Sequence, residues 1–153
     1  SAASDVYKRQ VMLRYEIEKQ LFNGELEVDD LPTAWNTMFK SWFDIEVPED
    51  RLGCLQDIHW SMGAFGYFPT YTLGNLYAAQ LLEAMAEDLG DVDDMVASGN
   101  WQPMLEWLRP RIHQRGSQVS PAKLIEDATG APPSPEPFLR YVERKYGALY
   151  QLG

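Results

Sequence analysis

Basic residues are scarce in this chain. Thirteen Lys and Arg stand against 23 Asp and Glu, for a formal net charge of −10 and a pI near 4.5. A surface of that sign repels polyanions, which argues against nucleic acid or an anionic membrane as partner. There is one cysteine, Cys54, so no internal disulfide framework can form, and the expectation is a reducing, cytoplasmic compartment. No apolar run reaches the ~18 residues that span a bilayer, and no secretory h-region is present. Nor does any segment alternate at period two for long enough to predict a strand.

Chemistry-bearing motifs are equally sparse. The two histidines, His59 and His113, are far apart and neither has a histidine four residues on. H-E-x-x-H and a cysteine cluster are absent, as are G-x-S-x-G, a P-loop and G-x-G-x-x-G. A zinc site built from His59, His113 and a distant carboxylate is the weaker reading, because such sites need three or four convergent ligands. We therefore expect no metal held by this chain. The acidic run from Glu87 to Asp94 lacks the alternating ligands and closing Glu of a calcium loop, and reads as a solvated loop with a helix N-cap. No complete active site can be written from these residues.

What is present is a chain of 153 residues, 45% hydrophobic, long enough for one domain with a real core. The patterning is helical. Val11 to Phe22 places Leu13, Ile17 and Leu21 on one side, with Arg14, Glu18 and Lys19 elsewhere, and Asn23-Gly24 stops it. Arg14 and Glu16 read as structural ion-pair residues, with a substrate-carboxylate role for Arg14 as the lesser alternative. A second helix opens at Asp29-Asp30-Leu31-Pro32 and carries an aromatic stripe of Trp35, Phe39, Trp42 and Phe43. Gly53 to Trp60 is expected to be a short helix or helical turn. Further helices are predicted from about Thr70 to Leu89, from Asp91 to Ala97, from an Asn100 cap through a kink at Pro110, from Ser120-Pro121 to Gly130, and after the proline-rich connector Ala131–Pro137. The fold class is all-α, with about seven helices forming a lobe rather than a free-standing fold.

One stretch organises the rest, Gly53 to Gln80: GCLQDIHWSMGAFGYFPTYTLGNLYAAQ. Gly63, Gly66 and Gly74 fall close together in it, a proline sits between aromatics, and Gln56, Asp57, His59, Tyr67, Thr70 and Tyr71 bring polar groups into an aromatic setting. It reads as a glycine-rich loop delivered onto a long buried helix, and loops on rigid scaffolds commonly carry function. The alternative is a tight, well-packed turn with no chemistry.

QDIHW followed by GAFGYFPTYTLGNLYAAQ resembles the C-terminal signature of the M32, or thermostable carboxypeptidase Taq-type, metallocarboxypeptidases. MLRYEIEKQL, LEWLRPRIHQRG and FLRYVERKYGALY agree with it. The resemblance covers Val11 to the end and implies the C-terminal part of a larger helical, zincin-like peptidase, so that 11–153 is one region. Ser1–Gln10 stands apart: Asp5 to Gln10 spells one reading frame of a library adapter, and the alternative is an ordinary polar N-terminus.

In the family, the resemblance implies, zinc is held by two histidines of H-E-x-x-H and a later glutamate, and a C-terminal residue is removed from a peptide. Those ligands are absent here. This chain would supply the opposite wall of the cleft, with the missing N-terminal part of the same enzyme and a second copy, in a homodimer, as partners. A tyrosine hydroxyl suits the oxyanion of such a reaction. Tyr71, near the start of the long helix, is favoured over Tyr67, and His59 is expected beside it as a hydrogen-bond donor. The alternative for His59 is a histidine satisfied by Asp57 or backbone. Tyr67, Gln56 and Arg14 are the candidate substrate-binding residues. Met62 and Ala64 depart from the family pattern but are not donors on which this depends. The other function class open to the chain is a non-catalytic helical interaction domain. A reading frame continuing upstream into H-E-x-x-H would separate the two.

Overall fold

The computed structural model describes residues 2–151, with the side chains of 2–5 and 7 excepted. Seven α-helices account for its regular structure together with short 3₁₀ turns and one π-helical segment, and no strand occurs among the described residues. The all-α expectation holds. The chain forms two compact units, one running to Thr72 and the other from Leu73, so that the boundary falls within a single helix.

In the first unit, α1 (Ala2–Asn23) and α2 (Leu31–Phe43) pack against the loop that follows. Helix α1 is longer than the predicted 11–22, because nothing in Ser1–Gln10 breaks a helix. Within that extension Val6 is half-buried, and Arg9 donates to the Trp42 carbonyl at 3.0 Å and lies over the Phe43 ring. The Tyr7 side chain lies outside the described residues. Leu13, Ile17, Trp35 and Cys54 form the buried centre, with Leu21, Met38, Phe39, Trp42, Phe43 and Trp60 around them. The aromatic stripe of α2 is therefore core. Trp35 stacks on Phe39 and meets Trp60 edge-on, with ring centroids 5.8 and 6.4 Å away. Helix α2 stops at Asp44, whose left-handed backbone returns its N–H to Lys40.

Gly53 to Trp60 is not a helix. After a 3₁₀ turn at Asp50–Leu52 the chain runs through turns to Phe68. Gly53 is required there by space: a Cβ would lie 2.7 Å from Val47 Cγ1 and 3.1 Å from the Trp35 indole. The backbone at Gly53 lies against the Trp35 ring, and the residues after it form hydrogen-bonded turns.

In the second unit, α3 (Pro69–Leu89) continues into α4 (Val92–Ser98), α5 (Gln102–Leu108), α6 (Pro121–Thr129) and α7 (Glu136–Tyr150). Met85, Val92 and Trp107 form its core. Asp91 caps α4 by accepting the Asp94 N–H, and Ser120 caps α6 through the Lys123 N–H, as the cap patterns predict. Asn100 does not cap α5. Trp101 takes that place without a side-chain bond, and Pro103 lies in the first turn, where a missing N–H costs nothing. At Pro110 the α-helical pattern gives way to a π-helical segment, Arg109–His113, the distortion expected where an N–H is lost.

Candidate functional site

The stretch from Gln56 to Tyr71 brings three of its polar side chains into one hydrogen-bonded chain. The Asp57 carboxylate, through one oxygen, accepts the His59 backbone N–H at 2.8 Å and meets the same residue's ring Nδ1 at short range. The two bonds to one oxygen fix the ring against its own backbone. With Nδ1–H committed to Asp57, the remaining lone pair of a neutral imidazole is on Nε2. That atom faces the Tyr71 hydroxyl at 3.4 Å. Burial alone would raise the Asp57 carboxyl. The His59 N–H and ring, together with the Arg14 charge, outweigh it and hold the group below the usual carboxylate range.

The rings assemble around the histidine. Tyr67 and Phe68 lie 5.0 and 5.2 Å from His59 by centroid, and Tyr67 meets Tyr71 edge-on at 5.4 Å. Phe68 is the anchor, 2% exposed, whereas Tyr67 and Tyr71 are both 44% exposed. Pro69 opens α3, and Thr70 caps its own turn by donating to the Tyr67 carbonyl at 2.6 Å. Tyr71 therefore stands on the first turn of a 21-residue helix, while Tyr67 sits on the loop before it. His59 is tied to Asp57, as its non-catalytic reading anticipates, and it is also presented to Tyr71. The geometry carries both.

Arg14 and Gln56 are placed apart from this chain of bonds. Gln56 is exposed at the loop surface. Arg14 is 2% exposed beneath the loop. Its guanidinium stacks 4.5 Å from the Trp35 ring and 5.8 Å from Trp60 and Phe68. Its Nε donates to Gln10 at 3.1 Å, and Nη1 meets no acceptor among the described residues. Burial pushes this guanidinium down from its usual value, with Asp57 opposing. Glu16, read from the sequence as an ion-pair residue, pairs with Lys19 at 2.7 Å on the outer side of α1.

Sequence reasoning missed Glu18. Placed there among residues away from the apolar side, it is 4% exposed. Its Oε1 accepts the Trp60 indole N–H at 2.9 Å and its Oε2 the Gly66 N–H at 3.1 Å. Only the one-turn spacing from Arg14 hinted that both shared the buried face.

Metal ligands do not converge here. Among the described residues no group of three His, Cys, Asp or Glu could hold an ion, and His113 is exposed in the π-helical segment. In the second unit, a concavity of about 610 Å³ is lined by Glu83, Asp93, Arg140 and Arg144. Its charges serve each other: Arg140 forks onto Glu83 at 2.9 and 2.7 Å. No helix among the described residues is long and apolar enough to cross a membrane.

An all-helical scaffold thus places Asp57, His59 and Tyr71 side by side next to an aromatic loop. Residues 2–146 match the carboxypeptidase Taq (M32) metallopeptidase family, and the chain belongs to that family. The match begins inside the segment that the sequence reading sets apart as 1–10. The chain is 46% identical over 144 residues to thermostable carboxypeptidase 1 of Thermus thermophilus, covering 94% of this chain and 28% of the relative. It is 41% identical to carboxypeptidase 1 of Bacillus subtilis, with 95% and 29% covered. The solved M32 carboxypeptidase of Deinococcus radiodurans superposes with a TM-score of 0.86 at 34% identity, over 95% of this chain and 30% of that one. The chain thus spans under a third of the length of these relatives.

Proposed function

We propose that this chain is the C-terminal portion of a zinc metallocarboxypeptidase that removes C-terminal amino acids from peptides, and that it contributes one wall of the substrate cleft. The single observation that carries this reading is the Asp57–His59–Tyr71 relay, exposed at its tyrosine end, in a chain of this family. The residues present do not fit a zinc ion. In this reading the ion is held by polypeptide outside this chain, as part of the same enzyme, and none of the roles below passes through it.

Attack on a peptide carbonyl turns a planar, neutral oxygen into a tetrahedral oxyanion, and a fixed O–H donor binds the second state better than the first. Tyr71 supplies that donor. Asp57 holds the His59 ring so that Nε2 addresses the tyrosine oxygen. When the ring is protonated, Nε2–H donates to that oxygen and the tyrosine proton turns outward to the substrate. Tyr67 and Gln56, exposed on the same loop, border the peptide. Arg14 supports the loop from beneath. The enzyme is proposed to act in the cytoplasm, where Cys54 stays a buried free thiol, and as a homodimer.

The test is a chimera in which residues 11–153 replace the matching part of the Thermus thermophilus carboxypeptidase. The chimera is expected to release C-terminal residues from peptides. A folded, metal-loaded chimera without activity would sink the reading in favour of a non-catalytic helical interaction domain.

A further inference from the structure

We propose that Glu18 is the positioning residue of this site, a carboxylate clamp on α1 that sets the distance between His59 and Tyr71. The inference rests on the reading above for its functional weight, but its geometry stands alone. The two candidate residues lie twelve positions apart, joined by turns as far as Phe68, with Tyr71 in the first turn of α3. Something must hold the two in register. The Glu18 side chain bonds the loop beside His59 and again just before Tyr67, on the approach to Tyr71.

Its Oε1 takes the indole N–H of Trp60, the residue immediately after His59. Its Oε2 takes the backbone N–H of Gly66, immediately before Tyr67. One carboxylate thus fixes the loop at two points from a rigid helix, 42 and 48 residues away in sequence. Gly66 has φ +75°, a backbone region that other residues rarely enter, and it turns its N–H onto the carboxylate. Both acceptor oxygens are engaged, as a buried carboxylate requires, and among the described residues the two donors are neutral N–H groups. An ordinary ion pair would not need two neutral donors from the two ends of one loop.

The chemistry makes the clamp specific for a glutamate carboxylate. A glutamine at this position would offer one carbonyl oxygen and one NH₂ group, which would confront either Trp60 Nε1–H or Gly66 N–H donor to donor. An aspartate there would be one methylene short of spanning both.

The experiment uses the full 153-residue chain and NMR. Only His59 and His113 contribute imidazole signals, so His59 can be followed directly. Glu18→Gln is expected to keep the far-UV circular dichroism of the parent. It should raise hydrogen exchange at the Trp60 indole and Gly66 amide by about tenfold or more, the loss of a charge-assisted bond, and weaken the nuclear Overhauser contact between the His59 and Tyr71 rings. Unchanged exchange and an unchanged ring contact overturn the proposal. Should Glu18→Gln fail to fold, Trp60→Phe removes one donor while keeping most of the ring. The same loosening at Gly66 and between His59 and Tyr71 supports the clamp, and its absence overturns it. In the chimera, Glu18→Gln is expected to lower kcat more than it raises KM. Loosened rings with an unchanged kcat would leave the clamp standing and sink the catalytic role of His59 and Tyr71 instead.

Discussion

His59 Nε2 and the Tyr71 hydroxyl face each other at 3.4 Å, with Asp57 holding the far side of the imidazole. That spacing is at the long end for a hydrogen bond.

Removing that hydroxyl is the direct test of its role. In the chimera, Tyr71→Phe is expected to lower kcat on the order of a hundredfold, about 3 kcal/mol, with little change in KM. Folding should be unaffected, because the ring is 44% exposed and keeps its edge contact with Tyr67. If kcat stays within about twofold while Tyr67→Phe abolishes it, the loop tyrosine rather than the helix tyrosine is the donor.

Asp57 gives a pH prediction with a definite sign. Burial would raise its carboxyl, but His59 and Arg14 hold it below the usual range. The folded chain therefore binds this proton less tightly than the unfolded chain does. Asp57 adds stability above the unfolded aspartate value of about 3.9, and that stability is lost as pH falls through the lower folded value. The Tm difference between the parent and Asp57→Asn should hold steady near neutral pH and close in the acid range below about pH 4. A difference that persists undiminished through that range would mean the carboxylate gains nothing from its partners.

Gly53 makes a packing prediction. An added methyl would meet Val47 at 2.7 Å and the Trp35 indole at 3.1 Å. Trp35 is 1% exposed at the centre of the first unit and cannot step aside without opening that core. Gly53→Ala should cost about 1–3 kcal/mol in denaturant unfolding, the usual range for overpacking. A neutral result would show that Val47, at the edge of the cluster, absorbs the methyl.

Legibility in the sequence followed periodicity. The helices of the second unit, with their caps at Asp91 and Ser120, could be read because each carries a local signal. The candidates Tyr71, His59 and Tyr67 could be named because they crowd one unusual loop and because that loop resembles a family signature, and the structure places the three rings together. What could not be read was set by contacts distant in sequence. Trp35 and Trp42 pattern alike on α2 whether they face solvent, a missing partner or the core, and only the fold of residues 53–68 beneath them decides for the core. Glu18 is a charged residue in a helix, and its burial depends on Trp60 and Gly66, more than forty residues on. Of the short helix or helical turn expected at Gly53 to Trp60, the structure has turns and no helix, with Gly53 pressed against Trp35 from far earlier in the chain.

The second unit has its own buried polar hub, Gln80, 5% exposed on α3. Its Nε2 lies 3.1 Å from Thr129 Oγ1 and from the carbonyls of Ala131 and Pro132, and its Oε1 accepts the Ser134 N–H at 3.1 Å. Two amide hydrogens serve three acceptors, so at least one is shared. The proline connector has few N–H groups of its own with which to satisfy these carbonyls, and Gln80 does so from the neighbouring helix. Gln80→Leu keeps the volume but takes the amide away from the Ser134 N–H and the Pro132 carbonyl, while the Ala131 carbonyl keeps the Thr129 hydroxyl at 3.1 Å; a lost hydrogen bond between such partly exposed groups costs about 0.5–1.5 kcal/mol. The variant should unfold about 1–2 kcal/mol more easily, and the Ser134 amide should exchange faster. The His59–Tyr71 ring contact lies in the other unit and should not change. If stability falls by less than about 0.5 kcal/mol, water replaces the glutamine and the connector is held by its prolines alone.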